Sequence, residues 1–315
     1  LSTSPNTNDL LRIGSRGSKL ALWQAEWVKA RLEEAGHPCT IQIIKTTGDK
    51  ILDVPLAKIG GKGLFTKEIE EALLDGRIDL AVHSLKDLPT ELPPSLALAC
   101  IPQREDPRDA MVGSPLADLP AGARVGTSSL RRAAQLRALR PDLQILDIRG
   151  NVDTRLRKQQ EGQYDALVMA SAGLTRLGLA QHIAEYLDPA RFLPAVAQGA
   201  LAIETRADDG PAWQACRELH DARAGAETSA ERALLAGLGG GCQVPLGANA
   251  QVDGAELLLS AVVVSPDGQR LVRRQIAGSI QDAVSLGEAL AQEFLDSEAR
   301  EIIEALGAPS ESSRG

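Results

Sequence analysis

The sequence predicts an α/β protein of two lobes, followed by a small α+β C-terminal domain with an antiparallel three-stranded sheet. Three observations predict this. Through the first two-thirds of the chain, short apolar or β-branched runs alternate with helix-like segments, the rhythm of parallel strands covered by helices. That rhythm restarts near Arg124. In the last third it gives way to strands joined by tight-turn signals, Asp253-Gly254 and Pro266-Asp267-Gly268. A length of 315 residues suits two or three such domains.

The elements follow in order. Leu10–Ile13 is a short apolar run. A helix is predicted from Ser18, a fitting N-cap, to Ala35, closed by Gly36, with Leu20, Trp23 and Trp27 on one face. Thr40–Thr47, rich in β-branched residues, reads as a strand, Thr66–Leu74 as a helix and Ile78–His83 as a buried strand. In the second lobe Val125 ends a strand, and Ser128 or Ser129 caps the helix Leu130–Leu139, which stops before Pro141. Leu143–Ile148 is a strand, Asn151 caps the helix Val152–Glu161, Tyr164–Ala170 is a strand and Leu174–Leu179 a short helix. Pro102–Pro107 and Leu193–Gly199 read as hinges between lobes, with a cleft between them. The last third offers a helix Thr228–Leu235, strands near Gly247–Val252, Glu256–Val264 and Gln269–Ile276, and two acidic helices, Ile280–Phe294 and Ser297–Leu306.

Composition narrows the function. The formal charge is −8 and aromatics are 3% of residues, which argues against a general polyanion binder or a base-stacking platform. The charge is uneven: Arg124–Lys158 holds nine basic and three acidic residues, a local balance of +6. Four cysteines without a CxxC pair and four scattered histidines fit neither a disulfide framework nor a metal site. No apolar stretch is long enough to span a membrane. The polar start lacks the apolar core of a signal peptide. A reducing cytoplasm is the expected compartment.

Five constellations could carry chemistry. In Ile78–Pro89 the polar cluster His83-Ser84-Leu85-Lys86-Asp87 follows directly on an apolar strand, where open α/β sheets bind ligands. The alternative is that Asp87 only caps a turn. Gly126-Thr-Ser-Ser129-Leu-Arg131-Arg132 combines hydroxyls, a helix start and two arginines, an anion site in physical terms. Arg149-Gly-Asn151-Val-Asp-Thr-Arg155 repeats the logic at the next strand-to-helix junction, whereas Arg137, Arg140 and Arg157 read as solvated. Arg12-Ile-Gly14-Ser15-Arg16-Gly17-Ser18 is a third such junction without dinucleotide spacing. Gly48–Phe65, with Lys58 and Lys62, is a lid or a plain surface loop. It is not a phosphate loop, since Leu56 and Gly63 stand where Gly and Ser or Thr are needed. Cys242 follows three glycines that would hold its thiol out, as a nucleophile or a covalent anchor. Cys39, Cys100 and Cys216 read as structural.

Together these strings resemble the porphobilinogen deaminase (hydroxymethylbilane synthase) family from about Leu11 to Leu306. The most specific are Leu20-Ala-Leu-Trp-Gln24, Lys58-Ile-Gly-Gly-Lys-Gly-Leu-Phe65, His83-Ser-Leu-Lys-Asp87, Glu105-Asp-Pro-Arg-Asp109, Gly126–Arg132, Arg149-Gly-Asn151, Pro194–Gly199 and Gly239–Pro245, all in the expected order. The resemblance implies two lobes like those of type II periplasmic binding proteins and a third domain carrying the cysteine. Domain 1 would span 10–103 with 201–221, domain 2 108–197, and domain 3 225–307. It implies a transferase joining four porphobilinogen molecules head to tail, with loss of ammonia, to give hydroxymethylbilane for tetrapyrrole synthesis. A dipyrromethane primer would be held by a thioether on Cys242, with no metal and no nucleotide.

The site residues carry over one by one. Asp87 is the expected catalytic carboxylate, with Arg16 and Arg149 where the incoming substrate loses ammonia. Lys86, Ser84, Ser129, Arg131, Arg132 and Arg155 are expected on the cofactor. Arg176, Gln24, Gln198 and Asn151 are expected on the substrate, and Lys58, Lys62 and Phe65 on a mobile loop. A monomer is expected, with product passed to uroporphyrinogen-III synthase. Two rivals stand beside this. A non-catalytic anion-binding protein with the same cleft would not need Cys242. A nucleic-acid binder using the +6 segment is opposed by the net charge.

Overall fold

The computed structural model describes residues 10–47, 66–208, 210–240 and 244–307, and their strands gather into three sheets. The chain begins with β1 (Leu11–Ser15), α1 (Lys19–Glu34), β2 (Cys39–Ile43), α2 (Lys67–Leu74), β3 (Leu80–Ser84) and β4 (Leu96–Cys100). It continues through β5 (Asp109–Val112), β6 (Arg124–Gly126), α3 (Leu130–Leu139), β7 (Gln144–Leu146), α4 (Val152–Gln160), β8 (Ala166–Ala170), α5 (Ser171–Arg176) and β9 (Ile183–Tyr186). Then follow β10 (Leu201–Arg206), α6 (Pro211–Arg217), α7 (Ala222–Gly237), β11 (Leu246–Asp253), β12 (Glu256–Val264), β13 (Leu271–Ser279), α8 (Ala283–Leu295) and α9 (Ala299–Gly307).

Two compact units divide the chain. The first holds Leu1–Asp106, Ala172–Ala180 and Gln198–Gly225. Its sheet runs β2-β1-β3-β10-β4, with β1 parallel to β2 and β3, and β10 antiparallel to β3 and β4. Alternation along each strand splits the core. On one face Leu80 and Val82 meet Ala25, Val28 and Leu32 of α1. On the other Ala81 meets Ile69, Ala72 and Leu73 of α2. Each fully buried Leu or Ile here contributes about 1.5–3 kcal/mol.

The second unit holds Pro107–Ser171, Gln181–Ala197 and Ala226–Gly315. Its first sheet, β7-β6-β8-β5-β9, repeats the plan: three parallel strands, then two antiparallel pairings. Its second sheet is the antiparallel ladder β11-β12-β13, packed by α8 through Leu290, Ala291 and Phe294. Buried carboxylates of α7 tie this region to backbone. Glu231, fully buried, accepts the N–H of Ala197 at 2.6 Å and of Ala250 at 2.8 Å, and Glu227 accepts that of Val252 at 3.2 Å. Ala197 has φ +58°, a conformation that costs a non-glycine residue energy, and the bond to Glu231 helps hold it there.

The helices and the α+β third sheet agree with the sequence expectation, with corrections. The sheets are mixed rather than wholly parallel, because β5 and β10 enter from elsewhere in the chain and run against their neighbours. The predicted strand Leu143–Ile148 shrinks to Gln144–Leu146, an edge strand with one partner. The predicted helix Leu174–Leu179 lies earlier, at Ser171–Arg176, where Gly178 at φ +68° closes it. The hairpin loop is Gly254-Ala255, since Asp253 still pairs with Glu256. Cys100 and Cys216 lie on a strand, β4, and a helix, α6, as their surroundings suggest, while strands β5, β9 and β10 carried no prediction from spacing.

Candidate active site

In the first unit the sheet ends gather four of the predicted residues. Arg16, Gln24, Ser84 and Asp87 line one open pocket, together with Ser18, Thr66 and His83. Local rules place them. Ser18 caps α1, its Oγ accepting the Ala21 N–H at 3.3 Å, so the chain turns sharply after β1 and Arg16 sits at the turn. Beyond β3 a single 3₁₀ turn, Leu85–Asp87, is anchored by buried Leu85 and Leu88. Lys86 and Asp87 are thereby left exposed. Gln24 donates to Ser84 Oγ at 3.0 Å, joining α1 to the end of β3. Below the pocket His83 Nε2 meets Glu204 Oε2 at 3.0 Å, a buried pair.

Gln198 and Arg176 belong to the same unit. Lys86 Nζ donates to Gln198 Oε1 at 3.3 Å, and Arg104 Nε to Gln198 O at 2.9 Å. Arg176 is buried, its Nη2 donating to Gly199 O at 2.6 Å and its guanidinium lying 5.9 Å from the Trp23 ring centre. Burial pushes its pKa down to about 10, against the pull of Glu105. Gly199 is required here: φ is +88°, and a Cβ would lie 2.3 Å from Glu105 O.

The second unit carries the arginine cluster. Ser129 caps α3, accepting the Arg132 N–H at 3.4 Å, and Asn151 caps α4, accepting that of Thr154 at 3.2 Å. Two helix starts thus bring basic residues to neighbouring strand ends, β6 and β7. Arg131 and Arg132 both grip Asp109, which is fully buried: Arg131 Nη1 meets Oδ2 at 2.7 Å, and Arg132 Nη2 meets Oδ1 at 2.7 Å. Burial draws the Arg131 guanidinium below its usual range, Asp109 opposes this, and Arg132 adds to it. Arg149 pairs with Asp147 at 3.3 Å. Arg155 Nε donates to Gly150 O at 2.7 Å. Its pKa is pushed down to about 10, first by burial, then by the charges of Arg132 and Arg149.

Burial is the largest cause of that lowering, and the two neighbouring guanidiniums add to it while Asp147 opposes it. Like charges held close in a half-buried place repel unless an anion joins them. Arginine forks suit carboxylates, with two parallel hydrogen bonds each. A cofactor bearing several acetate and propionate groups fits this donor set. Replacing Arg155 by Gln relieves the repulsion and removes a fork. The expected result is an unchanged or higher thermal midpoint and at least a tenfold lower turnover, read from unfolding and activity on one preparation.

Some expectations fall elsewhere. Cys242, Lys58, Lys62 and Phe65 lie outside the described residues. Asn151 is an exposed helix cap. Cys39, Cys100 and Cys216 are buried, and burial raises the first two thiols to about 11 and about 12, inert forms. Sequence reasoning gave no role to Asp109, Thr66 or Glu204. The signal for Asp109 was present: an acidic residue opening the apolar strand Asp109-Ala-Met-Val must find cations if buried. Among the described residues no helix is long and apolar enough to cross a membrane.

Comparison with known proteins joins these two groups of residues to one family. Among solved structures the chain is similar to the methionine-binding protein MetQ, with TM-score 0.43 and 14% identity over 67% of this chain and 89% of that one. It is also similar to an ABC-transporter periplasmic substrate-binding protein from Coxiella burnetii, with TM-score 0.41 and 13% identity over 66% and 91%. The porphobilinogen deaminase of Syntrophobacter fumaroxidans is 54% identical over 303 residues, 95% of this chain and 98% of that one. That of Roseiflexus castenholzii is 56% identical over 292 residues, 91% and 96%. The family model of the porphobilinogen deaminase dipyromethane cofactor binding domain matches residues 11–213, and that of the porphobilinogen deaminase C-terminal domain matches 226–296. Matched along both of its units, with arginine forks and a carboxylate at its strand ends, the chain belongs to the porphobilinogen deaminase family.

Proposed function

We propose that Asp87, Arg16 and Arg149 carry out the deamination and coupling by which this enzyme joins four porphobilinogen molecules into hydroxymethylbilane. The observation that supports this best is the pocket that sets Arg16 and exposed Asp87 together at the ends of β1 and β3. Loss of ammonia from porphobilinogen leaves a pyrrole whose ring nitrogen is cationic. A fixed carboxylate stabilises that charge. It can then take a proton once the new carbon–carbon bond has formed. What supports Asp87 in both tasks is its exposed position on the 3₁₀ turn at the end of a buried strand. Arg16 and Arg149 hold substrate carboxylates during ammonia loss, while Gln24, Gln198, Asn151 and Arg176 orient them.

Bound dipyrromethane supplies a pyrrole carbon as the nucleophile for chain growth. Cys242 anchors it through a thioether, and Arg131, Arg132, Arg155, Ser129, Lys86 and Ser84 hold its carboxylates. For Arg131 and Arg132 this means sharing their forks with Asp109. The domains of this reading are 10–103 with 201–221, 108–197 and 225–307. The protein works as a monomer in the cytoplasm and hands its product to uroporphyrinogen-III synthase. Purified protein supplied with porphobilinogen is expected to release four equivalents of ammonia per hydroxymethylbilane. Reversible binding of porphobilinogen without ammonia release would overturn the proposal.

A further inference from the structure

We infer that the hydroxyl of Thr66 is a substrate-binding group, donating a hydrogen bond to one carboxylate of the incoming pyrrole beside Arg16. This rests on the proposed active site and adds a residue to it. Thr66 occupies the N-cap of α2, where a threonine hydroxyl ordinarily accepts a backbone N–H. Here it makes no cap bond. The residue is 2% exposed, and among the described residues its Oγ1 has no hydrogen-bond partner. A buried hydroxyl left unpaired destabilises a fold, so its presence at this point calls for a partner that arrives with function.

The surroundings define that partner. Thr66 lines the same pocket as Arg16, Gln24, Ser84 and Asp87. It heads the helix packed on the face of β3 that carries Ala81. His83, two residues on, shares that face by strand alternation and is already bound to Glu204. The first turn of α2 carries two acidic residues, Glu68 and Glu70; Glu68 receives the Thr47 N–H at 2.8 Å, and neither lines the pocket. Arg16 and the hydroxyl-bearing residue at the start of α2 therefore border one space, groups that suit an anion, with Asp87 on the same lining. The substrate carries its negative charge as carboxylates.

The test uses Thr66→Val, which keeps the shape and removes the hydroxyl, and Thr66→Ser, which restores it, both in the full chain. Thr66→Val is expected to lower kcat/KM for porphobilinogen about tenfold or more, mostly through KM, with thermal midpoint unchanged or raised. Thr66→Ser is expected to stay within about threefold of the parent. Two probes identify the group contacted: porphobilinogen analogues with either the acetate or the propionate carboxyl replaced by methyl, measured as competitive inhibitors. For one of them the parent and Thr66→Val should bind equally. A Thr66→Val protein with parental kcat/KM overturns the inference and leaves the active-site proposal standing. So does a defect equally large toward both analogues, or a lowered midpoint with unchanged kcat/KM, the mark of a purely structural threonine. A parent that fails to turn over porphobilinogen removes the active-site proposal and this inference together.

Discussion

Replacing Asp87 by Asn is expected to reduce turnover by at least a hundredfold while leaving the fold intact. The reason lies in where Asp87 stands. It is exposed at the end of a 3₁₀ turn whose stability comes from buried Leu85 and Leu88. Asparagine keeps the size and the turn but removes the negative charge and the proton acceptor. Fixed charges at a developing cation, and general acid–base groups, each contribute factors of about 10² or more. Activity and the thermal midpoint should be measured on the same preparation. Substantial activity with a normal midpoint would remove Asp87 from the central role.

The largest stability effect is expected at Asp109. Its carboxylate is fully buried and takes both Arg131 and Arg132. Removing one side of a buried ion pair leaves the other uncompensated, at a cost of about 3–5 kcal/mol. Asp109→Ala strands two buried guanidiniums, so a loss in the upper part of that range is expected, seen as a lower denaturant midpoint. Because Asp109 also aims Arg131 and Arg132, occupancy of the covalent cofactor should fall as well. A loss below about 1 kcal/mol would mean that solvent or another anion already serves the two arginines.

The parts of the fold that were legible in sequence are those written locally. Ser18, Ser129 and Asn151 mark their helices because a cap bonds to a neighbour three residues away. Glu256–Val264 was read to the residue because its pattern and both turns are local. Strands β5 and β10 were not read from spacing, because each is defined by a partner far along the chain: β10 pairs with β3 across more than a hundred residues. The resemblance, rather than periodicity, implied that Leu201–Asp221 returns to the first lobe.

The site divides the same way. Asp87 and Arg16 stood out because they follow strands directly, where ligands gather, but the roles proposed for them came from the resemblance. Arg131 and Arg132 were legible as basic residues at a helix start, but not their shared use of Asp109, which burial alone reveals. Thr66 read only as the start of a helix. What sets it apart is three-dimensional: an oxygen unpartnered among the described residues. The +6 segment in an acidic chain was informative in the same limited sense. It pointed to an anion site but could not show that burial and two neighbouring guanidiniums lower the Arg155 pKa.

The central claim is that this enzyme builds and keeps its own primer on Cys242. Intact-protein mass spectrometry tests it directly. The expected mass is that of the chain plus two pyrrole units, with the bare chain mass for an inactive Cys242→Ser protein. A parent protein that turns over porphobilinogen at its bare mass, or a Cys242→Ser protein that retains the adduct and the activity, would contradict it.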